Sequence, residues 1–160
     1  MNIDIYQVDA FASEVFSGNP AAVCPLKEWL PAAVMQQIAQ ENNLSETAFF
    51  VANEKGYELR WFTPEDEVDL CGHATLAAAH VLFQHLGFTN KTIKFYTRSG
   101  LLEVNQVESG YSMSFPASYA TPAELPAALQ QGLGIKPLRL LQAFDYIVVL
   151  ENESQIKSVS

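Results

Sequence analysis

Apolar positions come early and at short intervals. Ile3, Ile5 and Val8 predict an opening strand over residues 3–8, and Ser17-Gly18-Asn19-Pro20 is a dense turn signal before a short apolar run from Ala21 to Cys24, a second strand. Pro31 stands where a first helical residue would. Behind it Val34, Met35, Ile38 and Ala39 line one face opposite Gln36, Gln37, Gln40 and Glu41, which predicts an amphipathic surface helix ending near Asn42 and Asn43. Thr47 to Val51 and Tyr57 to Phe62 flank Asn53-Glu54-Lys55-Gly56. Leu59 and Trp61 alternate there with Glu58 and Arg60, so these segments form a hairpin.

From Gly72 to Leu86 the pattern changes. Ala74, Leu76, Ala77, Ala78, Ala79, Val81, Leu82, Phe83 and Leu86 cover every side of a helical wheel, which is the mark of a buried helix, and Gly87 supplies its stop. Three strands follow, Thr92 to Thr97, Leu101 to Val107 and Tyr111 to Phe115, joined by turns at Arg98-Ser99-Gly100 and Glu108-Ser109-Gly110. One buried helix among short, mostly antiparallel strands is most simply covered by a sheet curled around it. The fold class is therefore α+β, with this first lobe over residues 1–117. Beyond it, a Pro/Ala-rich connection (Ser118 to Pro122, Pro126), a helix to Leu133 and strands near Leu138 to Leu141 and Tyr146 to Leu150 open a second unit over 118–160. The polar stretch from Glu151 to Ser160 supplies no second buried helix, so this second lobe is expected to be incomplete.

Composition narrows the function. A chain of 160 residues is long enough to bury a core without disulfide or metal staples. Its formal charge of −9 repels phosphate backbones, so nucleic acid and anionic membrane are poor partners. MNIDIYQVDAFAS has no basic leader pattern and no stretch approaches the ~20 apolar residues of a membrane span, which places the chain in the cytoplasm. Two cysteines, Cys24 and Cys71, without CxxC spacing agree with a reducing compartment.

All three histidines fall in the buried-helix region: His73, His80 and His85. His73 and His80 are two turns apart, about 10 Å along the axis, too far to share an ion through helix geometry, so no metal is expected; His80 and His85 read as packed or surface residues. His73 follows Gly72 at the amino end of the helix, where free N–H groups and the helix dipole favour an anion such as a substrate carboxylate. The alternative is that Gly72 only eases the turn and His73 caps backbone. Cys71, just before a helix N-terminus, could have a lowered pKa and serve as base or nucleophile, or be an inert buried thiol. Glu46 opens an apolar strand, where a lone carboxylate is either solvated or, facing a pocket near His73, able to hold and deliver a proton without a cofactor. No GxGxxG, Walker loop, GxSxG or HExxH is present, which disfavours nucleotide-dependent, serine-hydrolase and zinc-protease chemistry.

Four stretches together resemble the PhzF-like isomerase family, named for phenazine biosynthesis: Asp9-Ala10-Phe11 with Gly18-Asn19-Pro20-Ala21-Ala22-Val23; Asn43-Leu44-Ser45-Glu46-Thr47-Ala48-Phe49; Arg60-Trp61-Phe62-Thr63-Pro64; and Leu70-Cys71-Gly72-His73-Ala74-Thr75-Leu76-Ala77. The resemblance implies a diaminopimelate-epimerase-like fold of two similar lobes, with the active site in the cleft between them. It further implies a cofactor-independent isomerase acting on a small carboxylate. Glu46 matches the family's acid/base; Gly72 and His73 match groups lining the substrate pocket, with Asn19 and Ser45 as secondary contributors. Cys71 is reminiscent of the cysteine racemases that share the fold, so a cysteine-dependent epimerase remains open, as does a non-catalytic binding module. Family chains are longer, and this one is expected to hold the first lobe and the opening of the second. Its expected partners are the remaining lobe or a complementary chain, and a second copy of itself in a homodimer.

Overall fold

The computed structural model describes residues 2–14 and 16–159. Strand β1 (Tyr6–Ala10) pairs antiparallel with β2 (Asn19–Leu26), Val8 opposite Ala21 and Asp9 opposite Pro20. The strand opens later than the apolar spacing predicts. Ile3 packs instead into a small core of Cys24, Met35, Ala39, Phe49 and Phe62, so its side chain is drawn away from the β1 pairing, and Ile5 is exposed.

Helix α1 (Ala32–Asn42) carries the chain from β2 to the parallel strand β3 (Glu46–Asn53), as a crossover between parallel strands must. Pro31 sits just outside the helix and Asn43 ends it in the left-handed region, φ 49°, its N–H bonded to the Ala39 carbonyl at 3.1 Å. That reversal delivers the chain to Glu46. β3 is buried on both sides because α1 covers one face, through Phe49, while Ala48 and Phe50 meet the main core on the other. β4 (Gly56–Phe62) returns antiparallel after a turn in which Asn53 Oδ1 accepts the N–H groups of Lys55 and Gly56 at 2.8 and 2.9 Å. A two-residue strand β5 (Glu67–Val68) pairs with β4; it is too short for any hydrophobic period to announce it.

Helix α2 (Gly72–Gln84) leads to β6 (Thr92–Thr97), parallel to β4, followed by β7 (Gly100–Val107) and β8 (Gly110–Ser114) in antiparallel succession. The sheet order is β1-β2-β3-β4-β6-β7-β8. Ala74, Ala77, Ala78, Ala79, Val81 and Leu82 are buried in one cluster with Val23, Phe50, Trp61, Ile93, Phe95, Leu102 and Val104. Side chains from β2, β3, β4, β6 and β7 thus meet one helix, and its alanines let the strands approach closely. The expected α+β arrangement, a mostly antiparallel sheet around a central buried helix, is what the chain forms. The helix ends earlier than its apolar run: the His85 N–H returns to the Val81 carbonyl at 2.9 Å, and Leu86 lies beyond the last turn, 43% exposed.

The backbone divides into two compact units, Met1–Phe115 and Pro116–Ser160. The second holds β9 (Thr121–Pro122), α3 (Ala127–Leu133), β10 (Arg139–Gln142), β11 (Tyr146–Val149) and α4 (Glu153–Ser158), its strands ordered β11-β10-β9. Neither helix buries a residue, and Leu138, Phe144, Tyr146, Ile147 and Ile156 are exposed. Where the sequence reads only as a polar stretch, α4 forms because the Asn152 side chain caps it, accepting the Gln155 N–H at 3.1 Å. Among the described residues no helix is long and apolar enough to cross a membrane.

Candidate active site

Side chains alternate along a strand, so Glu46 points to the same side of β3 as Ala48 and Phe50, toward the core that α2 fills. It stands at the rim of that core because it is the first residue of its strand. There it meets the amino end of α2, where Cys71 is the N-cap residue and Gly72 the first helical residue. His73 Nε2 lies 3.1 Å from Glu46 Oε2, with the two side chains only 10% and 19% exposed. The separation is that of a contact, yet the two atoms are not aligned as donor and acceptor, and both remain buried without a hydrogen-bond partner. At the other ring nitrogen, Cys71 Sγ is 3.4 Å from His73 Nδ1. Thiol, imidazole and carboxylate are thus mutual neighbours, one ligating atom of each within 4.8 Å of the others.

The first turn of α2 is tied down locally. Thr75 Oγ1 donates to the Cys71 carbonyl at 2.5 Å, and the Thr75 N–H reaches the same oxygen at 3.3 Å. Thr75 and Thr47 are the two buried polar residues among the described residues, and a Thr within an apolar run gives no functional signal in the sequence. Cys71 itself makes no capping hydrogen bond. Its thiol is pushed up from an ordinary 9.0 to about 12, first by burial and further by the negative charge of Glu46, against a smaller downward pull from the nearby Ala74 and His73 amides. Of the two readings of Cys71, the buried inert thiol is the one this environment favours: with 7% of the residue exposed, desolvation outweighs the helix N-terminus. Cys71 is a protonated thiol near neutrality.

Asn19 and Ser45 lie at the starts of the parallel strands β2 and β3, hence at the same end of the sheet as Glu46, and Ser45 Oγ donates to Asn19 Oδ1 at 3.2 Å. Gly18, φ 87°, makes the turn into Asn19; a Cβ there would collide with the Ala10 carbonyl, so this glycine is sterically required. Gly72 is different: a Cβ would meet only Phe115 Cζ, at an ordinary 3.7 Å. His80 and His85 stand apart from the cluster. His80 Nδ1 is 3.2 Å from the Tyr111 hydroxyl, its pKa lowered by burial and by His85, and His85 packs on the Tyr6 ring. A second charged group, Glu67 held by Arg60 and Arg98 at 2.7 Å each, fastens β4, β5 and the end of β6; the Arg60 hydrogen bond above all holds its carboxyl below the usual range.

The buried thiols carry a stability prediction. Cys24, on the α1 face of β2, is also pushed up to about 12 by burial. Above the ordinary value of 9.0 the unfolded chain loses these protons while the folded chain keeps them, so the unfolded state binds fewer protons and stability falls as pH rises toward 12. Each thiol contributes a slope of up to about 1.4 kcal/mol per pH unit in that window. Tyr57, whose pKa is also raised by burial, acts in the same direction at higher pH. Urea midpoints between pH 8 and about 10.5 should fall, and less steeply in Cys24→Ala; a flat profile would show the thiols to be solvated.

Comparison with known proteins gives the family and the fold. The family described as phenazine biosynthesis-like protein, PhzC-PhzF, matches residues 8–136. An uncharacterized isomerase of Pseudomonas aeruginosa is 49% identical over 160 residues, covering 100% of this chain and 62% of the relative. The crystal structure of a PhzF-family phenazine biosynthesis protein from Enterococcus faecalis superposes with a TM-score of 0.92 at 47% identity, again over 100% of this chain and 62% of that one. A hydroxyproline epimerase from Agrobacterium vitis matches with a TM-score of 0.59 at 9% identity, covering 97% of this chain and 53% of that one, a likeness of fold alone. The chain thus spans about three fifths of the length of the first two.

Proposed function

Because the chain belongs to the phenazine biosynthesis-like (PhzC-PhzF) family, we propose that it serves a cofactor-independent isomerase in which Glu46 moves a proton on a small carboxylate substrate. The observation that carries this reading is the pair of buried, unpartnered polar atoms, Glu46 Oε2 and His73 Nε2, at the amino end of α2. Leaving such atoms unsatisfied costs about 1–3 kcal/mol each, a cost that a bound polar ligand would offset. The free N–H groups of the helix suit the ligand's carboxylate; Gly72, whose missing side chain leaves backbone accessible, and the Asn19–Ser45 pair line the same end of the sheet.

In this reading Glu46 Oε2 takes a proton from a carbon of the substrate, the C–H bond breaking as the O–H bond forms. The electron pair left behind is drawn toward the substrate's unsaturated or carboxylate end, where the His73 imidazole and the helix N-terminus oppose its charge. Glu46 then returns the proton to a different carbon, the double bond shifts, and no oxidant or reductant is consumed. Glu46 and Cys71 place their ligating atoms within 4.8 Å of each other. Both therefore address one face of a bound substrate, which suits relocation of a proton along that face. Inverting a single carbon needs carriers on opposite faces.

The second reading, a cysteine-dependent epimerase, is favoured by the position of Cys71 but requires a thiolate that its pKa of about 12 withholds. Unsaturated and chiral carboxylic acids incubated with the protein in deuterated water test both. Deuterium entering a second carbon supports the isomerase, and deuterium entering one carbon with inversion supports the epimerase. A ligand that binds without any exchange supports a binding module. The cytoplasm suits each of these reactions, since none needs an oxidising environment. The apolar side chains exposed on the second unit are expected to be covered by another chain, a complementary one or a second copy. Light scattering of the purified protein should give a mass above 17.7 kDa, and a clean monomer would contradict it.

A further inference from the structure

We propose that Glu46, Cys71 and His73 also form a binding site for a thiophilic divalent cation, of which zinc is the natural example, and that its occupancy silences the site. One carboxylate oxygen, one sulfur and one ring nitrogen from these residues lie within 4.8 Å of one another. A tetrahedral zinc ion with bonds of ~2.0–2.3 Å holds its ligand atoms roughly 3.5 Å apart, so small side-chain adjustments bring the three donors onto one ion. Two of them, Glu46 Oε2 and His73 Nε2, are already 3.1 Å apart and have no aligned partner to give up. Sulfur, imidazole and carboxylate are the donor types zinc prefers, and three protein ligands leave a fourth position for water. The separation of His73 from His80 along the helix, which argues against a histidine pair, does not bear on this set, because β3 rather than the helix supplies the third ligand.

The positive end of α2 opposes a cation, but only with about half a charge. The carboxylate and the sulfur, once its proton has left, bring two full negative charges to the ion. On binding, the Sγ–H proton passes to solvent, the Sγ–metal bond replaces it, and the hydrated ion releases water as each protein donor enters. Cys24 takes no part, since it lies in the separate core beneath α1.

Binding does not depend on the isomerase reading; only the loss of proton transfer rests on the role proposed for Glu46. Titration of the reduced, chelator-treated protein with cobalt(II) tests the binding itself. One equivalent should bind with a sulfur-to-cobalt charge-transfer absorption that zinc abolishes by displacement. The absorption should disappear in Cys71→Ser and persist in Cys24→Ser, while Glu46→Gln and His73→Gln should each weaken affinity by at least about tenfold. Circular dichroism of each variant confirms folding. Absence of the charge-transfer band in the unsubstituted protein, or its persistence in folded Cys71→Ser, overturns the site. Stoichiometric cobalt binding without loss of deuterium exchange leaves the site standing and sinks the proposed role of Glu46.

Discussion

Glu46→Gln is expected to lower the rate of substrate deuterium exchange by about 10²–10⁴-fold, the usual contribution of a positioned acid/base, which is about 3–5 kcal/mol of barrier. Glutamine matches the volume of glutamate and keeps an oxygen near His73 Nε2, so packing against Ala48 and Phe50 is preserved. Its carboxamide can neither take a proton from carbon nor return one. The loss should therefore appear in turnover and leave ligand affinity and thermal stability close to those of the unsubstituted protein. Cys71→Ser is the companion measurement. A protonated thiol that serves as neighbour to the imidazole tolerates a hydroxyl in its place, with exchange reduced far less than in Glu46→Gln. Exchange abolished by Cys71→Ser and spared by Glu46→Gln would falsify the glutamate mechanism and establish the cysteine one.

The second large effect concerns stability. Leu82 is 2% exposed and packs in the cluster where α2 meets the surrounding strands. Leu82→Ala should cost about 2–5 kcal/mol, the transfer of the lost methyl groups plus the cavity that the surrounding strands leave open. Leu86 belongs to the same apolar run of sequence but lies past the helix end, 43% exposed. Leu86→Ala should change stability by no more than about 0.5 kcal/mol. Urea denaturation of the two variants, with m-values unchanged, isolates the enclosure of α2 from the general value of a leucine. Equal costs would mean that the sheet does not wrap the helix.

The contrast between these leucines shows where sequence reasoning stops. A helical wheel reports which residues are apolar and therefore which helix is to be enclosed, and for Ala74 through Leu82 that holds. It is silent on where the chain leaves the helix, because the departure is made by backbone bonds such as Leu86 N–H to the Val81 carbonyl at 3.0 Å. β3 shows the same limit. It is read as one strand of a hairpin and pairs antiparallel with β4 accordingly, while its cover by α1 and α2 on both faces is seen only in the fold. Short pairings carry no period at all, which is why β5 and β9 are visible only in the fold.

The candidate site divides in the same way. Glu46, Cys71, Gly72 and His73 are identifiable as candidates by residue type and neighbourhood, since motifs and caps are local, whereas Asn19 and Ser45 enter only through the family resemblance. What the chain alone determined was the longer elements and most of the candidates, because hydrophobic period, turn chemistry and capping act over a few residues. Tertiary structure decided that the first residue of β3 and the amino end of α2 meet at 3.1 Å. It also decided that burial would overrule the helix dipole at Cys71. Both depend on parallel pairing of β2 with β3 and on a sheet closing around α2, and such long-range packing sets distance and dielectric where no local pattern of residues can.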